Sequence, residues 1–234
     1  MKNLNGFLVK FKDQIKALKD TYSEILNKIP NNSWSFGGGT ALAIYHFKHR
    51  ISFDIDIFIN DVQYFTYLSP KWFIDETKIF KSNYAESATN IKLTTQNDIK
   101  VDFIVSPNLS NVKPFKDSKL DLGFDFYVDS IEEIISKKIR YRKEQNLARD
   151  IFDIAFAINR DSTLLNRLHT NKSINLDEIF IWQKSLNNLN QKKYLNEIDI
   201  VTPVDEFKDI AINAKDIILN GIDDLIFQLI LKSL

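Results

Sequence analysis

The sequence predicts an α+β protein, with a half of mixed strands and helices at residues 1–129 and an all-helical half at residues 130–234. Alternating apolar and polar residues, which are typical of strands, occur only before about residue 130. Beyond that point apolar residues recur at three- and four-residue steps, which is helical spacing. Ser130 and Glu133 have the capping-box spacing that starts a helix, so we expect the boundary at residue 129.

The elements of the first half follow from spacing and from helix-breaking residues. Apolar residues at helical steps predict a helix over 8–29, which Pro30 ends. Further along the chain we expect a strand over 34–36, a helix over 40–47 with Thr40 as its N-cap, a strand over 53–59, a partly helical segment over 62–80, a hairpin of 87–95 and 99–105 around the turn 96–98, and an edge strand over 124–128.

The second half is predicted from helical spacing alone. The expected helices cover 131–143, 147–159, 164–168, 176–189 and 204–234, the last of them broken at Gly221.

The composition excludes several classes of protein. The absence of cysteine excludes disulfides, thiolate metal sites and cysteine nucleophiles. A net charge of +0 excludes a polybasic protein but allows a local basic face. No apolar run reaches the roughly 18 residues of a membrane span, and the N-terminus is too charged for a signal peptide. We therefore expect a cytoplasmic protein with no membrane partner.

The chemistry-bearing residues begin at a glycine turn. Gly37, Gly38 and Gly39 are three of the six glycines in the chain, and an apolar-flanked Asp54-Ile55-Asp56 follows. Because strand side chains alternate between faces, both carboxylates are expected on one face, with Phe53, Ile55 and Ile57 in a core on the other. Two adjacent carboxylates suit Mg²⁺, which is usually held by one or two carboxylates plus substrate phosphates.

A third carboxylate, Asp102, lies in the alternating segment 100–105. If this strand neighbours the strand of Asp54 and Asp56, the three side chains share one site. A glycine turn at a helix N-terminus accepts phosphates, and carboxylates hold divalent ions that bridge those phosphates and activate a hydroxyl. This combination indicates nucleotidyl transfer.

The segment from Gly38 to Phe58 resembles the AbiEii/AbiGii-type nucleotidyltransferases of the DNA polymerase β-like superfamily. The resemblance is carried by Gly38-Gly39-Thr40, then His49-Arg50-x-Ser52-x-Asp54-Ile-Asp56 after a spacer of fourteen residues between Gly39 and Asp54. Most members are toxins of bacterial type IV toxin–antitoxin or abortive-infection systems, and relatives include the mycobacterial MenT toxins. The resemblance implies a mixed sheet with flanking helices, followed by a helical bundle that completes the active-site cleft.

A second match lies about eighty residues further on. Lys138, followed by Arg149-Asp150-x-x-Asp153, is similar to the family's later motifs, in which a lysine and the aspartates of the next helix face the active site. Lys137 is adjacent, and the alternative alignment stays open. Asp150 and Asp153 are three residues apart and so share a helix face.

The resemblance implies a role for each matched residue. Asp54 and Asp56 would hold the metal, with Asp102 as third metal carboxylate and base, or else Asp150 as the base. The nucleotide phosphates would contact Gly38, Gly39, Thr40, Arg50, Ser52 and Lys138. The implied cofactor is Mg²⁺ or Mn²⁺, and the implied substrate is an NTP.

The implied function is transfer of a nucleoside monophosphate to an RNA hydroxyl, at the 3′ end of tRNA, by a toxin with a cognate antitoxin. The alternatives are a protein or small-molecule acceptor, or a non-catalytic nucleotide-binding protein. The basic run 137–143 has two interpretations, a solvated helix face or a strip for an RNA backbone. His46 and His49, three residues apart, are expected to form a basic rim around the phosphates rather than a metal pair.

Overall fold

The computed structural model describes residues 6–233. The chain forms two compact units. The first comprises the chain up to Lys48 together with 52–108 and 113–130, and the second comprises 49–51, 109–112 and the chain from Ile131 onward. We call them the sheet unit and the helical unit.

The sheet unit contains three α-helices and a seven-stranded mixed sheet among its described residues. The helices are α1 (Lys12–Glu24), α2 (Gly38–Ala41), which continues as a π-helix over Leu42–Phe47, and α3 (Val62–Phe65). The strands are β1 (Trp34–Gly37), β2 (Ile55–Ile59), β3 (Ala85–Glu86), β4 (Asn90–Thr94), β5 (Lys100–Val105), β6 (Phe115–Lys116) and β7 (Tyr127–Val128).

The strand order is β3-β4-β5-β2-β1-β7-β6. β2 is central, and it pairs antiparallel with β1 and parallel with β5. The predicted hairpin is confirmed: β4 and β5 pair antiparallel, and Asp98 in their turn has the left-handed φ of 65°. A left-handed residue at this position is usual in tight turns, which Asp and Asn tolerate best after glycine.

The two faces of the sheet differ in chemistry because side chains alternate along each strand. One face is the core, where every side chain is at most 1% exposed: Trp34, Phe36, Ile55, Ile57, Ile91, Leu93, Val101 and Phe103. The opposite face of the same strands carries Asp56 and Asp102. We call this second face the acidic face.

The helical unit holds seven of the described helices. They are α4 (Ile131–Arg142), α5 (Ala148–Arg160), α6 (Leu164–Thr170), α7 (Leu176–Asn187), α8 (Gln191–Val201), α9 (Lys208–Ile212) and α10 (Ala214–Ser233). All residues from Asp150 to Ile158 are buried, so α5 is the central helix around which the others pack. As the sequence predicts, no strand occurs between residues 129 and 233.

Gly221 does not break the last helix, contrary to the prediction. It lies buried within α10, where an added Cβ would be 3.1 Å from Cγ2 of Ile158 on α5. The missing side chain therefore lets α10 and α5 approach closely.

Five other element predictions are corrected. Thr40 is not an N-cap, because the helix begins at Gly38. Phe53 precedes β2 and is 55% exposed, so it does not anchor the core. β7 is not an edge strand, because it lies between β1 and β6. β6 lies in a segment where no strand was predicted, and α8 in one where no helix was predicted.

None of the helices within residues 6–233 is both long enough and apolar enough to cross a membrane.

Candidate active site

The acidic face has its centre in one row of residues across three strands. Gly37 of β1 pairs with Asp56 of β2, and Asp56 pairs with Asp102 of β5. Cross-strand partners point to the same face, and neighbouring strands lie about 4.8 Å apart. The strand of Asp102 therefore neighbours the strand of Asp56, and the two side chains lie on the same face. Both carboxylates are partly exposed, whereas the apolar residues beside them in sequence are buried.

The glycine turn lies directly against this row. Gly38 has a φ of +66°, a left-handed conformation that favours glycine. A Cβ added at Gly38 would lie 2.5 Å from the carboxyl carbon of Asp56. The absence of a side chain at Gly38 thus allows the Asp56 carboxylate to approach the backbone at the start of α2.

Thr40 links the helix to the chain entering β2. Its hydroxyl donates a hydrogen bond to the backbone carbonyl of Asp54, with a distance of 2.5 Å. The Thr40 side chain is completely buried, while that of Asp54 is partly exposed. Gly38, Thr40, Asp54, Asp56 and Asp102 therefore all lie in the sheet unit, with Asp54 directly before β2.

Asp129 is a residue of this region that the sequence analysis missed. It is 1% exposed, and its Oδ1 accepts a hydrogen bond from the Ser35 hydroxyl at 2.5 Å. A Cβ added at Gly37 would lie 2.6 Å from Oδ2 of Asp129. The Asp129 amide donates to the carbonyl of Phe36, and its carbonyl accepts from Nε2 of His46. Asp129 therefore braces the strand that leads into the glycine turn.

The donor set of the row suits a hard divalent cation, since it consists of carboxylate oxygens. Among residues 6–233, no group of three or more His, Asp or Glu side chains is arranged to hold a metal ion by itself. Mg²⁺ commonly binds one or two carboxylates and completes its shell with water and substrate phosphates. Asp54, Asp56 and Asp102 fit that mode of binding rather than a closed protein cage.

Ser52 and Arg50 are two further predicted phosphate ligands, and both are buried. In the sheet unit, the carbonyl of Ser52 accepts a hydrogen bond from the Gln14 side chain at 3.1 Å. Arg50 belongs to the helical unit, where its guanidinium binds Asp153 of α5 through Nε at 2.6 Å and Nη2 at 2.8 Å. This bidentate pair fixes the Arg50 side chain strongly.

Asp153 collects further donors in the helical unit. His49 contributes Nε2 at 2.7 Å, and Lys138 of α4 contributes Nζ at 3.0 Å. Lys138 also forms an ion pair with Asp150, and Arg142 lies 3.2 Å from the same carboxylate. We call these six residues, His49, Arg50, Lys138, Arg142, Asp150 and Asp153, the buried charge cluster.

The electrostatics of the cluster favour ionised carboxylates and a neutral histidine. Burial opposes ionisation of Asp153, but Arg50 and Lys138 outweigh it and hold the pKa of Asp153 well below its usual range. The pKa of Asp150 is also lowered, because Lys138 and Arg142 outweigh its desolvation. Burial lowers the pKa of His49, although the Asp153 carboxylate acts in the opposite direction. The expectation that His49 lies on a basic rim is wrong, since it is completely buried against Phe152 and Phe156.

The two candidate lysines on α4 differ in their partners. Lys137 forms an ion pair with Glu133 at 3.1 Å, whereas Lys138 joins the buried charge cluster. The Glu133 carboxylate also accepts hydrogen bonds from the amides of Leu109 and Ser110, at 3.0 and 2.7 Å. The run 137–143 is neither a fully solvated face nor an open basic strip, because Lys137 and Lys138 are buried and Arg140 pairs with Glu178.

The fold of this chain also occurs in a protein of known structure. JHP933 from Helicobacter pylori has the same fold, with a TM-score of 0.50, 13% identity, and coverage of 99% of this chain and 98% of that one. MenT4, a nucleotidyltransferase toxin from Mycobacterium tuberculosis H37Rv, gives a TM-score of 0.44 at 15% identity, over 92% of this chain and 95% of that one. No curated protein sequence matches this chain.

The sequence profile of the nucleotidyl transferase AbiEii toxins of type IV toxin–antitoxin systems matches residues 22–198. That range includes the glycine turn, all three candidate carboxylates and the whole buried charge cluster. Because the match covers most of the chain, the protein is a member of the AbiEii nucleotidyltransferase toxin family.

Proposed function

We propose that this nucleotidyltransferase moves a nucleoside monophosphate from an NTP to a hydroxyl of an RNA, namely the 3′ end of tRNA, in a Mg²⁺-dependent reaction. Blocked aminoacylation would then be the toxic result, and the tRNA acceptor would place the reaction in the cytoplasm. Membership of a type IV toxin family implies an NTP substrate and a cognate antitoxin. The acceptor and the metal are our proposal.

The observation that supports the proposal is the row Gly37, Asp56 and Asp102, with Gly38 packed against the Asp56 carboxylate. Gly38, Gly39 and Thr40 would contact the triphosphate through backbone amides at the start of the helical segment. Asp54 and Asp56 would hold Mg²⁺ or Mn²⁺, and the bound ion would neutralise phosphate charge and lower the pKa of the attacking hydroxyl.

Asp102 is the proposed general base. It is partly exposed, on the same face as Asp56 and one strand away, so it can accept the proton of a hydroxyl that approaches this row. Asp150, the alternative base, is buried and already holds Lys138 and Arg142 within the helical unit. The partial exposure of Asp102 and the burial of Asp150 favour Asp102 as the base.

Of the two adjacent lysines on α4, Lys137 and Lys138, the proposed triphosphate ligand is Lys138. Two of its contacts go to Asp150 and Asp153, and an ammonium group has three N–H donors, so one donor remains for a phosphate oxygen. Asp150 and Asp153 would orient the lysine. Arg50, held by Asp153, would act by ordering the segment that leads to Ser52 and Asp54.

The test is incubation of the protein with each α-labelled NTP, Mg²⁺ and total tRNA. We expect label on tRNA from the wild-type protein and none from Asp54→Ala. Label on a protein band or a small molecule would instead identify that acceptor, and NTP binding without transfer to any acceptor would indicate a non-catalytic protein. Label transfer that survives Asp54→Ala would refute the assigned site.

A further inference from the structure

The acidic face continues outward from Asp102 into a basic region. Lys92 of β4 is the direct cross-strand partner of Asp102, and Lys100 precedes Asp102 by two residues on β5. Side chains alternate between the two faces along a strand. Lys92 is next to buried Leu93, and Lys100 is next to buried Val101, so both lysines lie on the acidic face with Asp102. Lys92 and Lys100 are therefore diagonal neighbours across β4 and β5, a geometry in which the two Cα atoms lie about 7 Å apart.

Both lysines are exposed, and within residues 6–233 neither forms an ion pair. Other lysines of the same unit are paired, such as Lys81 with Asp98 and Lys116 with Asp125. The residue opposite Lys92 on the outer strand β3 is Ala85, which is small and uncharged. Lys92 and Lys100 therefore present exposed positive charge, outside any ion pair of the described residues, beside the candidate base.

We propose that Lys92 and Lys100 bind the phosphodiester backbone of the acceptor RNA and so deliver its terminal hydroxyl to Asp102. This inference rests on the proposed function and names the surface that it requires. Backbone phosphates are bound by exposed lysines, which position a strand without specifying its sequence. A protein or small-molecule acceptor does not offer this repeated negative charge.

The positions of Lys92 and Lys100 in the sheet favour the acceptor RNA, rather than the NTP, as the ligand that they bind. Gly37 and the glycine turn lie on one side of Asp56 in the row, and Asp102 and Lys92 lie on the other. The proposed triphosphate contacts beside β1 are thus separated from Lys100 on β5 by two strand spacings, about 10 Å, and from Lys92 on β4 by three, about 14 Å. The run 137–143 was the other candidate strip for an RNA backbone, but its buried Lys137 and Lys138 form ion pairs with carboxylates.

The experiment measures transfer of labelled nucleotide to total tRNA for wild-type protein, Lys92→Glu, Lys100→Glu and the double variant. Lys19→Glu is the control, because Lys19 is an exposed lysine of α1 and its reversal changes the net charge equally. KM for tRNA and KM for NTP are determined separately at several salt concentrations.

We expect the double variant to raise KM for tRNA about tenfold and to lower the slope of log KM against log salt by about 0.7 per lysine, with KM for NTP unchanged. If Lys92→Glu and Lys100→Glu each gave the same tRNA KM and salt slope as the charge-matched Lys19→Glu, the proposed surface alone would be overturned. A rise in the NTP KM instead would reassign the lysines to the triphosphate. Failure of wild-type protein to label any tRNA would overturn the acceptor class and this surface together.

Discussion

Gly38 lies so close to Asp56 that a Cβ on the glycine would be 2.5 Å from the carboxyl carbon of the aspartate. We therefore expect Gly38→Ala to displace the Asp56 carboxylate and lower the rate of nucleotidyl transfer about 100-fold, the effect of a misplacement of about 1 Å. The left-handed φ of +66° adds a loss of about 1–2 kcal/mol in unfolding free energy.

Gly123→Ala separates the steric effect from backbone strain. Gly123 has a φ of +89°, but an added Cβ would meet nothing within 4 Å. We expect this variant to lose similar stability and to keep wild-type activity. Equal activity of the two alanine variants would contradict the proposed coupling of Gly38 to Asp56.

Ser35 is expected to act on catalysis through Asp129. Ser35→Ala removes the hydrogen bond to the buried Asp129 carboxylate, which should reduce unfolding free energy by about 1–3 kcal/mol. Because Asp129 packs beside Gly37, we also expect a lower rate of transfer at saturating NTP. The control is Ser33→Ala, since Ser33 is equally buried and its hydroxyl donates to the carbonyl of Pro30. The role of Asp129 would be disproved if both variants transferred nucleotide at the same rate.

The two lysines of α4 can be distinguished by separating stability from substrate binding. Both Lys137→Gln and Lys138→Gln break a buried ion pair, so each should lower the free energy of unfolding by about 3–5 kcal/mol. Only Lys138→Gln is expected to raise KM for NTP, by about tenfold, when both are assayed at a temperature where circular dichroism shows them folded. A raised KM for Lys137→Gln alone would support the other alignment of the motif.

His49 makes stability depend on pH. Its pKa is lowered in the folded protein, chiefly by burial, so below about pH 6.5 the unfolded chain binds a proton that the folded chain does not. The contribution of His49 to the free energy of unfolding is therefore present above about pH 6.5. It is lost as the pH falls, by at most about 1.4 kcal/mol per pH unit.

Urea unfolding between pH 5.5 and 7.5 tests this sign. We expect His49→Gln to flatten the decline in unfolding free energy towards low pH. An unchanged slope in His49→Gln would mean that this histidine is not the titrating group.

The local features of the fold could be predicted from the sequence because they depend on short-range patterns. The alternation in 100–105 placed Asp102 on the face opposite Val101 and Phe103, and β5 does lie beside β2. The helix predicted over 131–143 is confirmed as α4, since its apolar spacing and its polar start agree.

Other features depend on distant partners and could not be predicted. Asp153 lies 103 residues from Arg50, and nothing local in either motif indicates that they form one bidentate pair. Asp129 similarly depends on Ser35, 94 residues away. The role of Gly221 depends on the neighbouring helix, which the sequence does not identify. In a sequence, a glycine that allows close helix packing cannot be distinguished from one that ends a helix.

The most direct test of the central claim is single-turnover transfer of α-labelled nucleotide to tRNA by Asp56→Asn, with Asp98→Asn as the control. Asp98 is an exposed carboxylate in the β4–β5 turn, so its variant should label tRNA at the wild-type rate. We expect Asp56→Asn, with an unchanged melting temperature, to give no detectable label, as wild-type protein does after removal of divalent ions with EDTA. Label transfer by folded Asp56→Asn at the wild-type rate would contradict the assignment of the acidic face as the catalytic centre.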